Sequence, residues 1–259
     1  MARTQRPAET HAVRVRVWDL PTRLFHWALA VCTLGACVSA RASGDPALHL
    51  HFLSGYATLT LVGFRVLWGF AGTHYARFRQ FVRGPSATVH YGLSLLRGRS
   101  TPEANNAGHN PLGALSILAL LAVCLALGAS GLFATDYVAS EGPLARYVSE
   151  KSVARLSRFH AWGEEFFYAL VALHLGAIAF YRFARSENLV GPMLRGDKLL
   201  PASPEQRNTG CFAPTKAQAP AATRTLPCGE AAADAVQVNL RALLLFCLCA
   251  ALVSYLVAL

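Results

Sequence analysis

The chain has 259 residues, 54% of them hydrophobic and only 15% charged, against roughly 25% charge in a soluble domain, and that excludes an ordinary soluble protein. Seven scattered cysteines exclude a disulfide scaffold. The formal net charge of +10 fits nucleic acid, anionic lipid or a biased membrane topology, and the placement of the charges decides among these.

In chain order, residues 1–19 read as a polar, Arg-rich cytoplasmic arm. It is too long, and the apolar run behind it too extended, for a cleaved leader. Five stretches then read as membrane-spanning: Leu20–Ala40, Leu50–Gly72, Leu112–Ala134, Phe159–Phe183 and Ala242–Leu259. Each is close to the ~20 residues that cross ~30 Å of hydrocarbon. Between the second and third, Ala87–Leu96 is a short amphipathic candidate lying along the membrane surface, bounded by Gly84-Pro85 and Gly98.

From Pro201 to about Val238 the composition turns rich in Ala, Pro and Thr, as a flexible linker does. The domain reading is therefore a bundle over 20–200, a linker over 201–238 and a C-terminal transmembrane helix over 239–259. The fold class is an all-α integral membrane protein, a four-transmembrane-helix bundle with an appended fifth helix.

Eighteen Lys and Arg fall on the side of the N-terminus and five on the other, with Arg65 inside a span. Cationic loops stay cytoplasmic, which puts the N-terminus inside and makes nucleic acid unnecessary. The chain reads as a multi-pass membrane protein with its N-terminus in the cytoplasm.

Imidazoles within membrane helices are expensive and mark sites. His160 and His174 are 14 residues apart on the fourth span, so they share a face with ~21 Å between them along the axis. His26 lies near the cytoplasmic start of the first span and His51 at the external end of the second. Each depth then receives two imidazoles, His51 with His160 outside and His26 with His174 inside. Two imidazoles facing across a bundle core are the axial ligands of a low-spin haem b. Covalent haem has no support, because no C-x-x-C-H is present. His49 competes with His51 but precedes the span and lacks the H-x-x-x-G spacing to Gly55.

Arg65 follows His51 by 14 residues, repeating the fourth-span spacing, which places it at the depth of His174. Its alternatives are contact with a haem propionate or snorkelling to the cytoplasmic headgroups. Gly55 lies one turn beyond His51, where a missing side chain lets a porphyrin approach, and Gly35 is read the same way on the first span. Trp18, Trp27, Trp68 and Trp162 read as interface anchors. Glu164 reads as a proton relay near the outer pair or as a carboxylate paired to Arg158 or facing water. His109 stands at the mouth of the third span, touching the inner haem edge or capping the helix. The cysteines at 32, 37, 124, 247 and 249 are small packing residues. The Gly128–Gly131 run permits close helix packing.

The strings VWDLPTRLFHW at 17–27, HFLSGY at 51–56, FRVLWGFAG at 64–72, GHNPLGAL at 108–115 and HAWGEEFFYALVALH at 160–174 resemble the bacterial cytochrome b561 family, which includes the b-type subunits of nickel-iron hydrogenases. The resemblance covers about Arg14 to Leu200. It implies a four-helix bundle with two b haems, His26 and His174 holding the inner and His51 and His160 the outer. It further implies electron transfer between a quinone pool and a periplasmic partner of cytochrome c, dehydrogenase or hydrogenase type, and it leaves a homodimer open. Two readings of other classes remain: a non-redox transporter or channel with histidines as transition-metal ligands, and a haem-containing membrane anchor subunit.

Overall fold

A computed structural model describes residues 12–97, 108–136, 140–201 and 235–259. His11, Arg99, Cys211, Cys228 and most of the expected linker lie outside the described residues. The five expected spans are the five longest helices, each long and apolar enough to cross a membrane. They are α1 (Leu20–Ser39), α2 (Asp45–Ala71), α5 (Pro111–Gly131), α6 (Glu150–Ala184) and α8 (Val236–Ala258). Between them lie the short α3 (Phe78–Phe81), α4 (Pro85–Leu96) and α7 (Val190–Arg195). The amphipathic candidate is thus a helix, α4.

Local chemistry sets the boundaries. Asp19 caps α1 through the Thr22 amide, and Asn110 caps α5 through the Gly113 amide, each followed by a proline in the first turn. Gly44 takes a left-handed φ of 97° just before α2, which only glycine adopts without strain. The turn starts α2 five residues ahead of its apolar stretch, so His49 is part of the helix. Likewise Ser149 caps α6, which starts nine residues before the expected span. Its 35 residues extend roughly 52 Å, so the polar first turns stand outside the hydrocarbon.

The long helices pack in sequence, α1 on α2, α2 on α5 and α5 on α6, with α8 laid against α2 and touching α1. Phe25, Leu61, Phe64, Leu121 and Phe167 form the core between them. Large apolar side chains such as Leu24, Val31, Leu34 and Val38 on α1 point outward, the surface that lipid covers. Two hydroxyls inside the bundle bond to the preceding turn, Ser39 to the Gly35 carbonyl and Thr60 to that of Tyr56.

Two features depart from the sequence reading. Residues Ala12–Arg16 and Asp197–Pro201 form an antiparallel ribbon, β1 and β2, with Arg16 and Asp197 paired at 2.5 Å. The ribbon fastens the N-terminal arm to the segment that follows α6. The fifth helix is also more than an appendage. Phe246 packs edge-on to Phe64, Cys249 lies over Gly63, the Arg241 guanidinium donates to the Ala71 carbonyl, and the Tyr147 hydroxyl donates to that of Leu259. It runs antiparallel to α2 and is held at both ends.

Candidate functional site

α2 brings His51 and α6 brings His160 to the end of the bundle near the α5–α6 connection. Their ring centres are 6.1 Å apart and their planes lie at 85°. Each Nδ1 is within 3.0 Å of a backbone carbonyl, Ala36 for His51 and Leu127 for His160. A carbonyl only accepts, so Nδ1 carries the proton on both rings and each Nε2 keeps its lone pair, the tautomer a metal ligand needs. Two imidazoles bonded to one metal at about 2.0 Å, with about 1.1 Å from nitrogen to ring centre, put the centres roughly 6 Å apart. The observed spacing fits one iron between them. His49 is exposed on the other side of α2.

Both rings line a cavity of about 510 Å³ with Gly55, Thr58, Gly128, Gly131 and Glu164. A Cβ on Gly55 would meet nothing within 4 Å, whereas one on Gly131 would stand 3.0 Å from His160 Cε1. Gly55 therefore opens the cavity and Gly131 makes room for the imidazole. Gly35 does neither. Its Cβ would come to 2.9 Å from Ser54 Oγ, which makes it a contact between α1 and α2 and corrects the reading that paired it with Gly55.

At the opposite end, α1 and α6 bring His26 and His174 within electrostatic reach of each other. His109, just before α5, sits between the rings of Trp18 at 4.4 Å and Phe81 at 4.7 Å. Burial, then the charge of Arg65, pushes His109 down to about 3, so it is neutral. Arg65 is 3% exposed with its guanidinium over the Phe78 ring at 5.0 Å. That burial corrects the snorkelling alternative. Among the described residues, His26 Nδ1, His109 Nδ1 and Arg65 Nη1 are buried without a hydrogen-bond partner. The Arg65 guanidinium and the His109 ring fit an anion, and the open His26 nitrogen, with His174 near it, fits a metal.

Two further expectations are corrected. Glu164 pairs with Arg41 at 2.5 Å and with the Tyr168 hydroxyl, not with Arg158, because Arg41 leaves the end of α1 facing α6. Trp68 is fully buried and Trp18 nearly so; Trp27 and Trp162 are the exposed pair. Asp19 is a residue that the sequence reading missed. It is 1% exposed and also accepts from Trp68 Nε1 and the Thr73 hydroxyl.

The model of the prokaryotic cytochrome b561 family matches residues 17–196. The chain belongs to the prokaryotic cytochrome b561 family. The match runs from one half of a closure to the other, since the Val17 amide donates to the Gly196 carbonyl at 2.9 Å. It takes in all four histidines of the two pairs and leaves out α8. No match was found among curated proteins or among solved structures. This cytochrome b561 is a multi-pass membrane protein, a b-type cytochrome of electron transfer with b-type haem.

Proposed function

We propose that the chain is a di-haem cytochrome that carries electrons across a bacterial inner membrane between the quinone pool and a periplasmic redox partner of cytochrome c, dehydrogenase or hydrogenase type. His51 and His160 hold the outer haem, and His26 and His174 hold the inner one. The observation that carries this reading is the His51–His160 pair: ring centres 6.1 Å apart, nearly perpendicular, each Nδ1 anchored to a carbonyl, beside a cavity of about 510 Å³. A bis-histidine haem b supplies reversible one-electron storage at an iron with no open position.

The chain's own residues supply depth, orientation and charge. α6 carries one histidine of each pair with ~21 Å between them along its axis. The carbonyls of Ala36 and Leu127 fix the outer ring orientations. Arg65 and His109 present cationic and neutral donors for inner propionates. The Arg41–Glu164 pair fastens α6 to the end of α1. The excess of Lys and Arg on the N-terminal side supports a cytoplasmic N-terminus.

The metal-transport reading is weaker. A bare transition metal takes four or more protein or water ligands, and among the described residues no three His, Cys, Asp or Glu converge. Two protein ligands suffice when a porphyrin supplies the rest.

The test is reduction by quinol. In vesicles holding the purified holoprotein, a soluble quinol is expected to reduce the b-type absorbance bands and to pass electrons to an oxidant on the other side. Haem that quinol does not reduce would leave the chain as an anchor subunit.

A further inference from the structure

The inner end contains a buried ionisable group with no place in the reading above. Asp19 Oδ1 accepts the Thr22 amide at 2.7 Å, and Oδ2 accepts Trp68 Nε1 at 3.1 Å and the Thr73 hydroxyl at 2.5 Å. All three partners donate, which suits an ionised carboxylate, an acceptor only. One side chain therefore joins the start of α1, the end of α2 and the turn beyond it. Its 1% exposure keeps water from screening the charge.

The neighbours of this carboxylate are residues of the inner site. His26 follows Asp19 by seven residues, close to two helical turns, so it lies on nearly the same face roughly 10 Å along α1. Arg65 precedes Trp68 by three residues on α2, a neighbouring position on one face, and it is within electrostatic reach of Asp19. Asp19 accepts from three donors, and Arg65 Nη1 keeps no partner among the described residues. The carboxylate offsets the charge of Arg65 without occupying that nitrogen.

We propose that Asp19 is a positioning residue of the inner haem site, locking α1 to α2 so that His26 and Arg65 flank one space, and that its fixed charge lowers the reduction potential there. The proposal rests on the assignment of His26 and His174 to an inner haem. A buried negative charge disfavours adding an electron nearby, and the low dielectric extends its reach. A donor hydrogen bond to the carboxylate spreads that charge and weakens its field.

The experiment is a potentiometric titration of the haem absorbance of the detergent-solubilised holoprotein. The inner step is identified as the one missing in His174→Ala. Asp19→Asn keeps the shape of the side chain and removes its charge, and the inner step is expected to move to higher potential while the outer step stays. Thr73→Val keeps the charge and withdraws one donor, and the inner step is expected to move lower. A purely structural role would reduce thermal stability in both variants without opposite shifts, and that result overturns the proposal. Should Asp19→Asn not assemble, an unmoved inner step in Thr73→Val overturns it alone. A His174→Ala protein that retains both haems overturns instead the site assignment on which the proposal rests.

Discussion

His51 and His160 approach each other edge to face at 6.1 Å although they come from helices that do not follow one another in the chain. Each ring is held by a carbonyl of a third or fourth helix, Ala36 of α1 for one and Leu127 of α5 for the other. All four bundle helices thus converge on this pair, two through imidazoles and two through backbone acceptors.

Filling the cavity should separate haem binding from folding. Gly55 borders open space, so Gly55→Phe places a ring where the porphyrin is proposed to lie without striking a neighbouring helix. The expected outcome is a stable, membrane-inserted protein with one haem instead of two, read from the absorbance per chain. Gly131→Ala should act on the ligand instead. Its Cβ would stand 3.0 Å from His160 Cε1, and weakened outer haem with a shifted potential is expected.

Arg65→Leu should weaken the inner haem. Losing a charge-assisted hydrogen bond costs about 1.5–3 kcal/mol, or roughly ten- to hundred-fold in haem retention. Arg65→Lys should restore much of the charge effect but less of the retention, because an ammonium lacks the planar fork. Haem loss to an excess of a haem-scavenging protein measures both.

The fold was legible in the sequence to the extent that it is periodic. Five apolar runs gave five helices, and the 14-residue spacing on α6 brought one histidine to each end. Long-range pairings were not legible. The ribbon joining 12–16 to 197–201 leaves no local signal, and nothing near Trp68 announces that its indole meets Asp19, 49 residues earlier. A tryptophan at a span end reads as a lipid anchor unless its partner is known. Glu164 shows the same gap, since Arg158 is near in sequence and Arg41 near in space.

The C-terminal helix should contribute stability and not haem. Cys249 lies over Gly63, where a Cβ would sit 3.5 Å from its sulfur. Cys249→Phe overfills that contact, at a cost of about 1–3 kcal/mol. The melting temperature should fall with haem content unchanged, and removing residues 236–259 should do the same more strongly. Loss of either haem in these variants would give α8 a role in the site.

In the haem-free protein, His109 should produce a dependence on acid. Its pKa falls from 6.5 to about 3 in the folded chain, so the unfolded chain binds the proton first. The stability its neutral ring contributes is present above pH 6.5 and is lost as pH falls towards 3. His109→Phe should flatten that limb of a melting-temperature profile taken against pH.

The most direct test of two haems on two histidine pairs is a pyridine haemochrome assay on purified protein, with His160→Ala and His174→Ala measured beside it. The account predicts two b haems per chain, and one in each variant. A single haem in the parent chain, or variants that keep both, would contradict it.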